Sequence, residues 1–255
     1  MTWRCSLSIG VLRKMQIFVL MGLVAGTFSV PTAWASDEAT AKEMATLFRA
    51  ARAVIGKHQK HINDPEVGDK GLSADSVIEQ AKANYKKATG YDLVVDPETQ
   101  AGEFLQAELD AIRAIMDENQ DLINEKGKGL KGFLPAVFAA NIADRTSAIL
   151  SGRAEIKLTA PKEYVRNRKN RPDKWEANVI ETMFKSPDHP KDKTFSEETQ
   201  KDGKQVFRFI LPEYYKESCL NCHGDPKGEL DITGGKKEGG KLGDLGGAIS
   251  VTIYK

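Results

Sequence analysis

Cysteine is what this chain has least of. Three occur in 255 residues, at positions 5, 219 and 222, so a disulfide-stapled mini-scaffold is excluded and the fold must rest on an apolar core. Charge of one sign is lacking too. The 37 basic and 36 acidic residues leave a formal net charge of +1, which gives no electrostatic footprint for nucleic acid. Aromatic residues make up 7% and form no stripe interleaved with basic ones. After residue 35 no apolar run is long enough to span a bilayer. A hydrophobic content of 40% with 29% charged residues is that of an ordinary globular chain and not of a disordered one.

What the chain does have begins at its N-terminus. Arg4, Arg13 and Lys14 flank or precede the apolar run "MQIFVLMGLVAGTFSV", and Ala33-Trp34-Ala35 supplies a small-residue end before Ser36. This is the pattern of a secretory signal peptide over residues 1–35, cleaved after Ala35. The apolar length would also suit a retained anchor. Cleavage removes Cys5 and three positive charges, leaving 34 basic against 36 acidic residues. The mature, periplasmic chain then has no membrane span, and Cys219 and Cys222 are its only cysteines.

These two lie in "SCLNCHGDPKG", three positions apart, with His223 directly after the second. In an oxidising compartment such a pair can close a local disulfide or serve thiol–disulfide exchange, but this gives His223 no role. A structural zinc site takes about four ligands, and the other histidines, His58, His61 and His189, are remote in sequence. C-x-x-C-H is the attachment signature of a c-type haem: each thiol forms a thioether, and the next histidine becomes the proximal iron ligand. Attachment follows export, so the leader meets a second requirement. One covalent haem c is the expected cofactor, with a thiol–disulfide redox protein as the alternative if no haem is bound.

Periodicity divides the chain. Met44, Leu47, Phe48, Ala51, Val54, Ile55 and Ile62 recur at helical spacing, which predicts an amphipathic helix from Ser36 to about Asn63. A second helix is expected from Ala74 to Thr89, with Ser73 as N-cap and Gly90 as stop, and a third from about Thr99 to Asn124. "RAVIGKHQKHIN" at Arg52 and "RAIMDENQDLIN" at Arg113 echo one another; two copies point to a duplicated helical hairpin, too few for a solenoid. Strands are expected over Ala154–Ala160, Gln205–Pro212 and Gly247–Tyr254 from β-branched and aromatic alternation. Between the first two, "RPDKWEANVIETMF" reads as a helix with Pro172 in its first turn. The glycine-rich segment after the haem motif reads as a flap or a long hairpin connection. The fold class is α+β, helices first and a small sheet last.

Three separated motifs, "TAPKEYVRNRKNRPDKWEANVIETM", "FRFILPEYYKESCLNCHGDP" and "GKLGDLGGAISVTIY", resemble in order the signatures of the periplasmic, single-haem, c-type PAS-like domain family. Its members occur alone or as the sensor part of histidine kinases and chemotaxis receptors. The resemblance spans about Leu105 to Tyr254. With the leader over 1–35 and the N-terminal helical segment over 36–98 read from the residues, it implies a PAS-like haem-binding domain over 99–255. It also implies an antiparallel sheet with flanking helices holding the haem, joined at Cys219 and Cys222 with His223 on the iron. One family member takes its sixth ligand from a cysteine of the long N-terminal helix, and no such cysteine exists here. Met116, on the stripe Leu105, Leu109, Ile112, Met116, Ile123, is one candidate for that place. His58, on the apolar face of the first helix, is another; His61 and His189 stand in more polar contexts, and a water-bound or open position is the remaining case. Arg166, Arg168 and Arg171 are candidates for the propionates, and Trp175 for packing on the porphyrin.

The expected function is electron transfer, or redox or ligand sensing, in the periplasm. With no transmitter domain after Lys255, a sensor would act through a redox or signalling partner protein, and a small gas or other ligand could bind the iron. A peroxidase-type enzyme would need an open iron site and a distal acid–base pair, which no recognisable spacing supplies.

Overall fold

The computed structural model describes residues 1–2 and 32–255, the side chains of 32–35 excepted. The expected signal peptide thus lies almost wholly outside the described residues. Those residues form seven helices and a four-stranded antiparallel sheet: α1 (Thr32–Ile62), α2 (Ala74–Thr89), α3 (Gln100–Glu118), α4 (Gln120–Asn124), α5 (Pro135–Ile149), β1 (Ala154–Thr159), α6 (Lys174–Val179), β2 (Phe195–Lys201), β3 (Lys204–Tyr214), α7 (Glu217–His223) and β4 (Leu245–Tyr254). None of the described helices is long and apolar enough to cross a membrane. The sheet order is β1-β4-β3-β2.

The helix signals act as their chemistry requires. The Ser73 hydroxyl accepts from Ser76 N–H, and Gly90, at φ 85°, closes α2 in the left-handed region that glycine adopts without strain. Thr99 caps α3 in the same way, accepting from Gly102 N–H. The third helix is broken at Asn119, whose side-chain amide donates to Ile115 O at 2.7 Å. The helix after β1 starts at Lys174, two residues beyond Pro172. Asp173 is its N-cap, and Asp173 and Glu176 cap each other's backbone N–H groups reciprocally, the capping box. Its last turn is wide, with Lys185 N–H donating to Ile180 O.

The sequence echo is a structural one. Lys70 Nζ, buried, donates to Asp64 O and Val67 O, and Lys131 Nζ donates to Glu125 O and Lys128 O. Each lysine thus closes its own turn at the same offsets. The two turns also exchange bonds: Lys70 N–H donates to Asn124 Oδ1 at 2.9 Å, and Lys131 N–H to Asn63 Oδ1 at 3.1 Å. The turns that follow α1 and α4 are therefore joined reciprocally.

The hairpins pack on one face of the sheet. Rows run across β1, β4 and β3: Ala154, Ile253 and Phe207; Ile156, Val251 and Phe209; Leu158, Ile249 and Leu211. They join Met44, Phe48, Leu105, Ile112, Met116 and Phe138 in one continuous core. The other sheet face is mixed: Glu155, Thr252, Arg208 and Glu197 form a polar row, while Ile210 and Ala248 pack with Val179, Ile180 and Phe184 in a smaller apolar cluster. Here α6 lays Trp175 over the buried Arg208 at 4.2 Å, and Glu176, 2% exposed, takes Lys157 and Arg208. Alternation along the strands gives one set of side chains to the main core and the other to this mixed layer, so β3 and β4 are buried on both faces.

Candidate functional site

Strand β3 delivers the chain to α7 at one end of the sheet. Helix α1 reaches the same place: Arg49 donates to Pro212 O at 2.7 Å and to Glu213, and Arg52 to Glu213 at 2.6 Å. Tyr215 N–H and Gly243 N–H then bond Asp244 O and Tyr215 O, both at 2.9 Å, clasping the start of α7 to the segment before β4. Cys219, Cys222 and His223 fall at i, i+3 and i+4, on one helix face. Both thiols are free and half-buried. Burial, with the Asp231 carboxylate next, pushes the Cys222 thiol up; an exchange-active cysteine needs the opposite.

His223 Nδ1 meets Glu238 Oε2 at 2.8 Å. An ionised carboxylate only accepts, so Nδ1 carries the proton, and the tautomer this selects has its lone pair on Nε2. The other histidines are differently placed. Each Nε2 faces an oxygen acceptor and donates: His58 to Gln80 Oε1 at 2.8 Å, His61 to Lys70 O at 3.1 Å, and His189 to Lys193 O at 2.9 Å. Beneath His223 the Tyr215 ring stacks at 5.3 Å and 20°. A methyl group at Gly240 or Gly246 would overlap that ring, so glycine is needed at both for the segment to close over it. The Tyr215 hydroxyl is buried without a hydrogen-bond partner, and burial pushes its pKa well up.

Arg166 ties these parts together. It donates to Glu238 Oε1 at 2.6 Å, to the Cys222 carbonyl at 2.7 Å, to Lys236 O at 2.9 Å and to the Asp231 carboxylate. Asp231 in turn accepts from Thr233 N–H, Thr233 Oγ1 and Gly235 N–H. Burial opposes ionisation of Asp231, but the bonds from Thr233 and Arg166 outweigh it and hold its carboxyl well below the usual range. At Glu238 burial is likewise outweighed, by Arg166 and His223, and its carboxyl is held low. With Leu230 bridged to Lys236 and Gly240 N–H on His223 O, the segment expected as a flap or a hairpin connection is pinned, and residues 215–247 form a cradle.

The structure brings Cys219, Cys222 and His223 together and adds Arg166, Glu238, Asp231 and Tyr215. Arg168 and Arg171 are exposed. Trp175 belongs to the mixed sheet face, where its indole N–H donates to Glu197. Met116 is wholly buried in the helical core. Glu238 escaped the sequence reading because a lone acid in "KKEGG" has no periodic context, and its partners lie 15 and 72 positions away.

Among the described residues no three metal-binding side chains gather. A haem asks for less, since the porphyrin brings four nitrogen ligands and the protein need add one histidine and two thiols. The residues present fit it: two free thiols, an imidazole with Nε2 unengaged, and the exposed apolar Leu230, Ile232 and Leu242 on the same segment. The chain belongs to the Tll0287-like family, whose model matches residues 35–253; it is a family of periplasmic single-haem cytochrome domains. No curated protein and no solved structure matches the chain.

Proposed function

We propose that this protein is an exported single-haem c-type cytochrome with a PAS-like shell, exchanging electrons with a partner protein in the periplasm or reporting its oxidation state to one. The observation that carries the reading is His223: its Nδ1 is committed to Glu238, and its Nε2 is left free beside two unpaired thiols. Cys219 and Cys222 would hold the haem covalently and His223 would ligate the iron. Bound there, haem supplies one-electron chemistry. The antiparallel order β1-β4-β3-β2 with helices on its inner face supports the PAS-like assignment. Both cysteines and His223 are partly open to solvent, which supports electron exchange through the edge of a haem held there.

The sixth position we assign to water or a small exchangeable ligand. His58 gives its Nε2 to Gln80, and Met116 packs in the helical core; each would have to leave a settled place. The test is an optical spectrum of the purified protein, oxidised, reduced and reduced with carbon monoxide, beside the mass of the denatured chain. The expected result is one covalent haem that binds carbon monoxide. A chain without haem mass overturns the reading. A six-coordinate spectrum indifferent to carbon monoxide, but altered in Met116→Ala or His58→Ala, moves the sixth ligand to that residue.

A further inference from the structure

The cradle places a fixed anion behind the one imidazole that can take iron. We propose that Glu238 is the positioning residue of His223 and that, held by Arg166, it makes the glycine-rich segment the setter of a low haem potential. The inference rests on the haem reading above and goes beyond it, from which residues attach the group to which residue tunes it.

The geometry is specific. Glu238 presents its two oxygens to two partners: Oε2 takes the proton of His223 Nδ1, and Oε1 takes Arg166 Nε. The carboxylate is 9% exposed, so water competes little for it. Arg166 is anchored in turn to the Cys222 carbonyl, one residue before the histidine, and to the buried Asp231. The imidazole plane is also fixed, by stacking on Tyr215 between Gly240 and Gly246. A ligating imidazole whose second N–H is given to a carboxylate is a stronger electron donor than one bonded to a neutral acceptor. Stronger donation favours the ferric state and lowers the reduction potential. The carboxylate does not touch the reacting atoms; it acts through His223.

The segment that carries Glu238 joins α7 to β4, and Arg166 is its main fastening. A partner that displaced Arg166 from Glu238 would therefore change the potential without touching the iron. This gives the protein a route from surface contact to redox state.

The experiment uses the mature holo-protein and three forms of it: wild type, Glu238→Gln and Arg166→Gln. Midpoint potentials are measured by spectroelectrochemistry, with haem attachment read from the denatured mass. Glu238→Gln is expected to keep its covalent haem and to be reduced more easily by about tenfold in the equilibrium constant, about 59 mV for one electron. Arg166→Gln is expected to shift the potential in the same direction by less, since Glu238 remains but is no longer aimed. A second readout needs no variant: in holo-protein labelled with nitrogen-15 histidine, the Nδ1 proton of His223 should resonate as one bonded to a carboxylate and exchange slowly. Loaded Glu238→Gln with the wild-type potential overturns the proposal. If that variant fails to load haem, a His223 Nδ1 without such a proton in the wild type overturns it. Wild-type protein without haem would sink the haem reading itself, a result separate from either.

Discussion

In the helical layer Met44, Phe48, Leu105 and Phe138 are completely removed from water; of the buried ionisable groups there, Lys70 and Lys131 close turns, and the Glu108 carboxyl sits without a hydrogen-bond partner, its pKa pushed well up by burial. In the cradle from Tyr215 to Gly247 the buried carboxylate, that of Asp231, is instead fully bonded, and the fastening is one arginine with four partners. Apolar burial is non-directional and tolerates small shifts, whereas charge-assisted bonds lose strength with angle and distance. The first region can serve as a rigid base. The second holds a histidine at a set orientation, at the cost of depending on a few bonds.

Substitutions can break this contrast, and the largest effect should come from the base. Phe209→Ala, at the centre of the inner sheet rows, removes a fully buried ring and should cost about 3–5 kcal/mol, seen as a lowered denaturation midpoint for the whole chain. Arg166→Met should cost toward the lower end of about 3–5 kcal/mol, because it leaves the buried Asp231 unpaired while Arg166 itself is about one-third exposed. Its signature is regional: hydrogen exchange should accelerate over residues 226–244 and leave α1–α5 protected.

Gly246→Ala sharpens the comparison by adding one methyl against the Tyr215 ring. About 1–3 kcal/mol is expected for such overpacking, with lost near-ultraviolet signal from Tyr215 and an unchanged helical spectrum. Asn63→Ala tests the base where it does use polar bonds. Leaving the Lys131 N–H unpaired should cost about 1–2 kcal/mol, and Asn124→Ala should match it; unequal losses would mean the two turns are alike in shape but not in energy.

The smallest effect is acid loosening of the cradle. The folded-state pKa of Asp231 is depressed, so its contribution is complete above the ordinary aspartate value near 3.9 and fades as pH falls below it. Proteolysis within 226–244 should therefore rise below about pH 4 before the helices unfold.

How much of this could be read in advance follows the same division. Helix α2 was legible to the residue because Ser73 and Gly90 state their roles locally. Strands β1, β3 and β4 were legible from their β-branched and aromatic residues, although β3 and β4 prove buried on both faces and not half-buried. Strand β2, "FSEETQK", was not: it is a polar edge strand given its place by β3. The attachment motif was plain in sequence, since spacing within five residues specifies it. What orients its histidine was hidden, because Arg166 and Glu238 acquire meaning only when the fold brings them together. The three arginines near 166 looked alike in sequence; the structure makes a hub of one and leaves Arg168 and Arg171 exposed.

The exchange of Asn63 and Asn124 between the two helical turns has a consequence for how this architecture can grow. In the terms used for oligomers it is an isologous contact made inside one chain: each half gives what it receives, and the pairing closes on itself. A third copy of the hairpin would find both asparagines engaged and no turn left to complete. Duplication here ends at two, and the remaining surface of the pair is left to carry a sheet instead of another repeat.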